Sequence, residues 1–375
     1  MAIDKVVSAS ITDSSVTSAK VASGVLQPNF RNIIINGDMS QAQRTTSASS
    51  LTSSGYHALD RFNNGINSQG TWTISQDTTV PTGQGFAKSL KYDCTTADGS
   101  PASGDYVWLE QKIEGQNLQY LKKGTSSAES VTISFWVYAT KTGTNILELL
   151  DKDNTRHICQ SYTISSSNTW EKKEITFAGD TTGAFNNDNG ESASLLFWLG
   201  AGSNYTSGSL ATSWASFSGA AANRAVGQVN HADSTSNNFY ITGIQMESGT
   251  AASDFEFLPF DVNRFRCFRY YQIWCQGNNK TIGTASMYNS TSLRWLDRLD
   301  TPLRTTPTLE KTSGTDYYKF FRDGTAVTFD DISLNDTYTE STFQVYATVP
   351  SSTAGQAGMF RAHNSSTKIA FSAEL

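Results

Sequence analysis

The chain holds few residues suited to acid–base, nucleophilic or metal chemistry. Its four histidines (His57, His157, His231, His363) and four cysteines (Cys94, Cys159, Cys267, Cys275) are scattered, without a CxxC pair. His157 and Cys159 stand two apart, so a strand would put both on one face. The expectation there is a small core thiol beside a surface imidazole rather than a nucleophilic pair. The sequence has no HExxH, GxSxG, GxxxxGK[ST] or GxGxxG pattern. Carboxylates are abundant, 34 in all. Asp60, Asp105, Glu110 and Glu148 could in principle supply the two acids of a glycosidase, which act across a cleft and need not be close in sequence. Any chain this rich in acids offers such pairs, so they single out no reaction. Asp151-Lys152-Asp153-Asn154 and Asn186-Asn187-Asp188-Asn189-Gly190-Glu191 carry oxygen ligands for calcium, but neither has EF-hand spacing. Turn formation accounts for them. No cofactor or metal is expected, and the chain is read as a non-enzyme.

Aromatic side chains remain as the chemical resource. Sugars present an apolar C–H face that stacks on Trp or Tyr, while Asn bonds the hydroxyls. Rigid sandwiches carry recognition on loops. The candidates for carbohydrate contact are therefore Trp214, with Tyr205 and Asn204 in the preceding glycine-rich stretch, and Tyr288 with Asn289 at a later turn. Trp214 is the tryptophan expected to be most exposed, although a loop tryptophan can also pin its own loop. The cluster Arg264-Phe265-Arg266-Cys267-Phe268-Arg269 could pair with phosphates and stack on bases. The net charge of −6 argues against a nucleic-acid partner. Packing between domains or subunits is the better reading of that cluster.

The elements that must position these residues are strands. Of 375 residues, 48 are Ser and 45 Thr, and only 17% are charged. Aromatics at 11% mark a chain that folds. Residues 1–30 place larger apolar side chains at every fifth position: Val6, Ile11, Val16, Val21 and Leu26. That period fits neither helix nor strand. It predicts an extended thread that packs against other copies or docks on a partner, with a disordered tail as the plain alternative. Residues 31–260 read as about nine short strands, clearest at Val131–Val137, Trp170–Phe177, Ser194–Leu199 and Asn238–Glu247. Residues 206–237 read as a long loop. Residues 261–375 read as a smaller β-sandwich, with Thr305-Thr306-Pro307-Thr308 marking a strand start or an edge. The fold class is all-β: an N-terminal thread, an antiparallel jelly-roll sandwich and a smaller C-terminal sandwich. The apolar core of a signal peptide is absent, and so is a run long enough for a membrane helix. The expectation is cytoplasmic synthesis, reduced cysteines and no membrane insertion.

An ordered set of motifs resembles a known family. Asn32-Ile33-Ile34-Ile35-Asn36-Gly37-Asp38-Met39, Ala42-Gln43-Arg44 and Leu59-Asp60-Arg61-Phe62 open the set. Ile113-Glu114-Gly115, Ser134-Phe135-Trp136-Val137 and Gly179-Asp180-Thr181-Thr182-Gly183 continue it. Ile241 to Gly249, Phe255-Glu256 and Cys267-Phe268-Arg269-Tyr270-Tyr271 close it. Together they resemble a bacteriophage tail-fibre, receptor-binding domain of the kind found in marine podoviruses. Two departures, Phe62 and Phe185 where the family has Trp, keep an aromatic. The resemblance implies a jelly roll similar to carbohydrate-binding modules, carried in a trimeric virion appendage, and it transfers no catalytic residue. By residue type, Asn36, Gly37 and Asp38 suit a turn, and Gly243 a bulge or kink. The expected function is a homotrimeric tail fibre that attaches to a host-surface glycan and meets other virion proteins through residues 1–30. The alternatives are a capsid-decorating or head-fibre protein without receptor, and a tailspike-like glycan depolymerase. The stacked, near-constant strand interval of a depolymerase β-helix is absent from the sequence.

Overall fold

A computed structural model describes residues 30–217, 219–335, 339–350 and 352–375. The thread expected over residues 1–30 therefore lies outside the described residues, except for Phe30.

The first eleven strands are β1 (Ser47–Gly55), β2 (Asn63–Asp77), β3 (Ser89–Thr96), β4 (Tyr106–Glu114), β5 (Val131–Ala139), β6 (Gly143–Asp151), β7 (Arg156–Ile164), β8 (Glu171–Phe177), β9 (Glu191–Ala201), β10 (Ala215–Ser216) and β11 (Asn238–Ser248). All pair antiparallel, in the order β10-β7-β6-β9-β4-β2-β3-β11-β5-β8, with β1 alongside β2. This path folds over on itself at β2. Residues 63–68 of β2 pair with β4, and residues 71–77 pair with β3. The corner between them uses Ser68 at φ +57° and Gly70 at φ +76°. A Cβ at Gly70 would also meet the Thr96 carbonyl at 2.9 Å. One strand thus serves two layers, which is how a sheet turns a corner into a sandwich. The result is the expected antiparallel jelly roll.

Period-two patterning explains the core. Val131, Ile133, Phe135 and Val137 of β5 face inward and are buried. The Phe135 ring meets Tyr162 of β7 at 5.1 Å and Phe197 of β9 at 5.0 Å, both edge to face, across the two layers. The unbroken apolar run of β9 departs from alternation because both of its faces are covered. Phe197 points into the main core, while Trp198 joins a second cluster with Ile146, Cys159 and Tyr205. Tyr205, Leu210, Ala211, Ala215 and Ala225 cover that outer face, from a stretch that includes α1 (Ser203–Thr206) and β10 but is mostly irregular, as the composition suggested.

The turn expected at Asn36-Gly37-Asp38 and the bulge expected at Gly243 are both present, and they touch. Asn36 sits at φ +62° and its carbonyl accepts the Met39 amide at 2.9 Å. Pairing of β11 with β5 slips between Thr242 and Gln245, with Gly243 at φ +64°. A Cβ there would fall 2.5 Å from the Phe86 ring. The bulge frees Ile244 to donate to the Gly37 carbonyl at 3.0 Å and to accept from Asn32 Nδ2 at 3.1 Å.

After β11 comes α2 (Phe260–Phe268), which is the basic and aromatic cluster of the sequence. Its helical form was not foreseen, because nine residues give too little periodicity. The remaining strands are β12 (Tyr271–Gln276), β13 (Thr281–Met287), β14 (Ser292–Arg298), β15 (Thr308–Lys311), β16 (Tyr318–Arg322), β17 (Thr325–Phe329), β18 (Ser333–Leu334), β19 (Thr342–Thr348), β20 (Ala357–Ala362) and β21 (Lys368–Ser372). They form a three-stranded sheet, β12-β21-β15, and a seven-stranded sheet, β17-β16-β20-β13-β14-β19-β18. Strand β15 begins one residue after Pro307 and is an edge, as the proline predicted. Phe343 of β19 packs on Phe371 of β21 at 4.3 Å, which joins the two sheets through one core.

Candidate functional site

Three places concentrate chemistry-bearing side chains: the covered outer face of β6, β7 and β9, the end of the jelly roll near Trp214, and the open face of the seven-stranded sheet.

On the covered face, strand pairing puts Glu148 opposite Cys159. His157 Nδ1 lies 2.8 Å from Glu148 Oε1 and 3.8 Å from the Cys159 sulfur. One ring nitrogen thus meets both partners, so the imidazole cannot relay a proton from thiol to carboxylate. Glu148 also accepts from Trp198 Nε1 at 2.9 Å and from Arg224 Nε and Nη2, each at 2.9 Å. Burial alone would push the Glu148 carboxyl up; Arg224 and His157 outweigh it and hold it below its ordinary value. Burial, reinforced by the Glu148 charge, drives the Cys159 thiol far above its ordinary value. A fully buried, protonated thiol is a poor nucleophile. Glu148, His157 and Cys159 are close enough to share an ion. Arg224 already neutralises the carboxylate from within an aromatic surround of Trp198 and Phe217, each 5.1 Å away. The cluster therefore reads as a buried polar support, in line with the core-thiol expectation for Cys159; the expectation of a surface imidazole is corrected, because His157 is fully buried beneath the chain that covers this face.

Near Trp214, the expectation of an exposed loop tryptophan is corrected. The ring is half-buried against the core, and its Nε1 donates to the Ala178 carbonyl at 2.7 Å. The cavity it helps to line holds only about 20 Å³, room for one water and not for a sugar. Beside it, Lys123 Nζ collects four oxygens: Asp151 Oδ2 at 2.5 Å, Asp180 Oδ2 at 3.2 Å, and the carbonyls of Thr182 at 2.9 Å and Gly183 at 2.7 Å. The lysine ammonium is thus the cation beside Asp151, one of the acids that had suggested calcium. Of the other calcium-like acids, Asp188 forms a turn, as expected, by accepting the Gly190 amide at 2.9 Å, whereas Asp153 bridges to a distant segment by accepting the Asn186 amide at 2.9 Å.

Tyr205 is also corrected. It is buried, with its ring 5.3 Å from Trp198 and 5.9 Å from Tyr106. Asn204 is exposed at the start of α1, where its amide donates to the Ser103 carbonyl at 2.9 Å. The structure does not join Asn204, Tyr205 and Trp214 into one accessible surface.

Tyr288 and Asn289 fall in the turn between β13 and β14. Asn289 Oδ1 accepts the amides of Thr291 at 2.9 Å and Ser292 at 2.8 Å, so its side chain shapes the turn. Tyr288 is 72% exposed, the most open large apolar side chain among the described residues. Its ring lies 5.3 Å from the Arg294 guanidinium, which lies 5.4 Å from the half-open ring of Tyr346. Arg294 and Tyr346 face each other across β14 and β19. This Tyr288–Arg294–Tyr346 ladder was missed beyond Tyr288. Strand alternation carried the signal, because Arg294 and Tyr346 sit on the faces opposite Leu293/Trp295 and Val345/Ala347.

In the basic cluster at α2, Arg266 and Arg269 are spent on packing, while Arg264 and Phe265 stay exposed. Arg269 donates two hydrogen bonds to Glu114, at 2.8 and 2.7 Å, and Tyr270 bonds the same carboxylate. Arg266 reaches the Asn32 carbonyl at 3.2 Å. The remaining glycosidase candidates are engaged too. Asp60 holds Gln43 through the amide at 2.8 Å and Nε2 at 2.7 Å, Asp105 accepts the Ala102 amide at 2.8 Å, and Glu110 is buried.

No protein-family profile matches the chain, and no curated protein sequence does. Solved structures with partial likeness include a putative sugar-binding protein from Bacteroides thetaiotaomicron. It is 12% identical, with 58% of this chain and 99% of that one covered and a TM-score of 0.31. A family 11 carbohydrate-binding module from Clostridium thermocellum is 10% identical over 56% of this chain and 98% of that one, with a TM-score of 0.27. The enzymatically active domain of bacteriophage CBA120 tailspike protein 4 is 13% identical over 58% of this chain, with a TM-score of 0.29. The match spans only 21% of that tailspike chain. Superpositions this loose carry no argument about function.

Proposed function

We propose that the protein is a structural and adhesive part of a phage virion: a homotrimeric tail fibre that attaches to a host-surface glycan. The observation that carries the adhesive reading is the open Tyr288–Arg294–Tyr346 ladder. It offers flat aromatic surface held in place by a stacked guanidinium, which costs little side-chain entropy on binding. By contrast, Glu148, His157 and Cys159 are sealed from solvent, and Arg224 already neutralises the carboxylate, so the reading includes no catalysis. The family-like motifs support the virion setting through their resemblance alone; their residues clasp seams of the fold, as Asn32, Asn36, Glu114 and Gly243 do. The trimer reading draws on exposed Phe30, Tyr120, Phe260 and Phe265. Phe30 and Tyr120 line a cleft of about 420 Å³ with Arg266 of α2, at the place where residues 1–29 join. An apolar patch there suits contact between copies.

The test is a glycan array probed with the labelled full-length protein, beside the double variant Tyr288→Ala/Tyr346→Ala. The expected result is glycan binding by the parent, at least about tenfold weaker binding by the variant, and unchanged melting temperatures. Absence of any bound glycan, or a variant that binds as well as the parent, would sink the adhesive reading. Light scattering that reports a monomer at micromolar concentration would sink the trimer.

A further inference from the structure

The seven-stranded sheet buries one face and leaves the other in solvent. Strand alternation puts Arg294 and Arg298 of β14, Lys319 of β16 and Arg361 of β20 on the open side. None of the outward positions on the seven strands is Asp or Glu, in a chain where acids outnumber Lys and Arg by 34 to 28. Elsewhere the protein pairs its cations: Arg61, Lys123, Arg156, Arg224 and Arg269 all meet carboxylates. Here Lys319 and Arg361 stand directly opposite each other on neighbouring strands. Like charges so placed repel. Lys319 has only the Asn279 side-chain oxygen at 2.5 Å, and Arg361 Nη2 only the Met359 sulfur at 3.3 Å. The Nε atoms of Arg294 and Arg361 are buried without a hydrogen-bond partner. Apolar side chains separate the cations: Leu296, 68% exposed, Phe321 under Arg361 at 5.5 Å, and Tyr346.

We propose that this open face binds a polyanionic saccharide, a glycan that bears carboxylate or sulfate groups. The proposal rests on the glycan-attachment reading above and names the class of glycan. Fixed guanidinium groups meet acidic oxygens through two parallel hydrogen bonds, and the apolar positions between them meet the C–H faces of the sugar rings. Each contact is weak, so binding grows with polymer length and with the number of copies engaged. A second copy of this face is a poor occupant, because two cationic faces repel. Nucleic acid is the competing polyanion, and an oligothymidylate tests it below.

Affinity electrophoresis of the full-length protein tests this. The gels contain alginate, a polyuronate, or neutral dextran, and an oligothymidylate competes in parallel runs. The expected result is retardation by alginate and not by dextran. The retardation vanishes at about 1 M salt, where charges are screened within a few ångströms. The double variant Arg294→Ala/Arg361→Ala binds alginate about tenfold more weakly and keeps its fold by circular dichroism. Lys319→Gln also binds more weakly, yet melts no lower than the parent, because it relieves the repulsion with Arg361. Equal retardation by dextran, no retardation by alginate, or an unaffected double variant would overturn the proposal, as would displacement by oligothymidylate at lower concentration than by free alginate. If neutral glycans bind through Tyr288 and Tyr346 and ignore the cation variants, the acidic assignment falls while glycan attachment stands. If no glycan binds at all, both fall.

Discussion

His231 shows how one buried side chain sets a pH dependence. Its Nε2 lies 2.8 Å from Asn145 Oδ1, an acceptor, so Nε2 carries the proton. Its Nδ1 is buried with no partner, and burial, with Lys141 nearby, pushes the imidazole down to about 3 from an ordinary 6.5. The folded state therefore keeps His231 neutral while the unfolded chain takes up a proton as pH falls below about 6.5. The contribution is whole above that pH and declines through the window from 6.5 towards about 3. The slope is about 1.4 kcal/mol per pH unit. Urea unfolding of the parent at pH 7.5 and pH 5 should show this loss, and His231→Gln should show a flatter profile between those values. Identical profiles would show that another group carries the effect. The Glu148 carboxyl, held low by Arg224, titrates in a more acidic window and does not mask it. His231 was visible in the sequence only as an isolated histidine. Its role depends on Asn145, 86 positions away.

At the scale of elements, loop and strand are fastened by polar groups placed at turns. Lys123 follows a short 3-10 turn and ends with its ammonium among oxygens from β6 and from the stretch 180–183. Lys123→Met keeps the length of the side chain and removes the cation. It would leave Asp151 buried and unpaired, at a cost of about 3–5 kcal/mol, read as a lowered urea midpoint. A loss below about 1 kcal/mol would show that Arg156, which also binds Asp180, takes over. Strong period-two segments such as β5 and β14 were legible because their inward positions are large and apolar. Strand β1, Ser-Ala-Ser-Ser-Leu-Thr-Ser-Ser-Gly, was not legible. It is largely exposed and held by pairing with β2, through three register irregularities, so no apolar stripe marks it.

Across the whole molecule, the two cores are tied by buried charge rather than by a broad apolar seam. Arg61, 1% exposed, bonds Glu374 from beyond β21, donates to the Lys112 carbonyl at 2.7 Å and lies 3.4 Å from the centre of the Tyr270 ring. Arg44 joins the same Glu374 carboxylate at 3.2 Å and stacks on Tyr271 at 3.7 Å. Glu374→Gln would leave Arg61 and Arg44 under-neutralised at the junction. The expected loss is about 3–5 kcal/mol, and calorimetry should resolve one transition in the parent and two in the variant. A single, unshifted transition would show that Glu114 with Arg269 and Tyr270 is sufficient to couple the halves.

The all-β class, the inward stripes of most strands, the edge at Pro307, the turn at Asn36 and the kink at Gly243 were all legible in the amino-acid order. Each of these follows from local sterics or from period-two burial, which neighbouring residues encode. The order alone could not decide which aromatics stay open. Trp214 and Tyr205 sit in glycine-rich, polar stretches that look like solvent-facing loops, yet those loops fold back over β9 and the sandwich end and bury them. Arg294 and Tyr346 lie in ordinary strands, yet nothing among the described residues covers their face. Burial depends on which segments lie above a surface, and that is fixed by contacts between residues far apart in the chain, so only the tertiary structure could assign it.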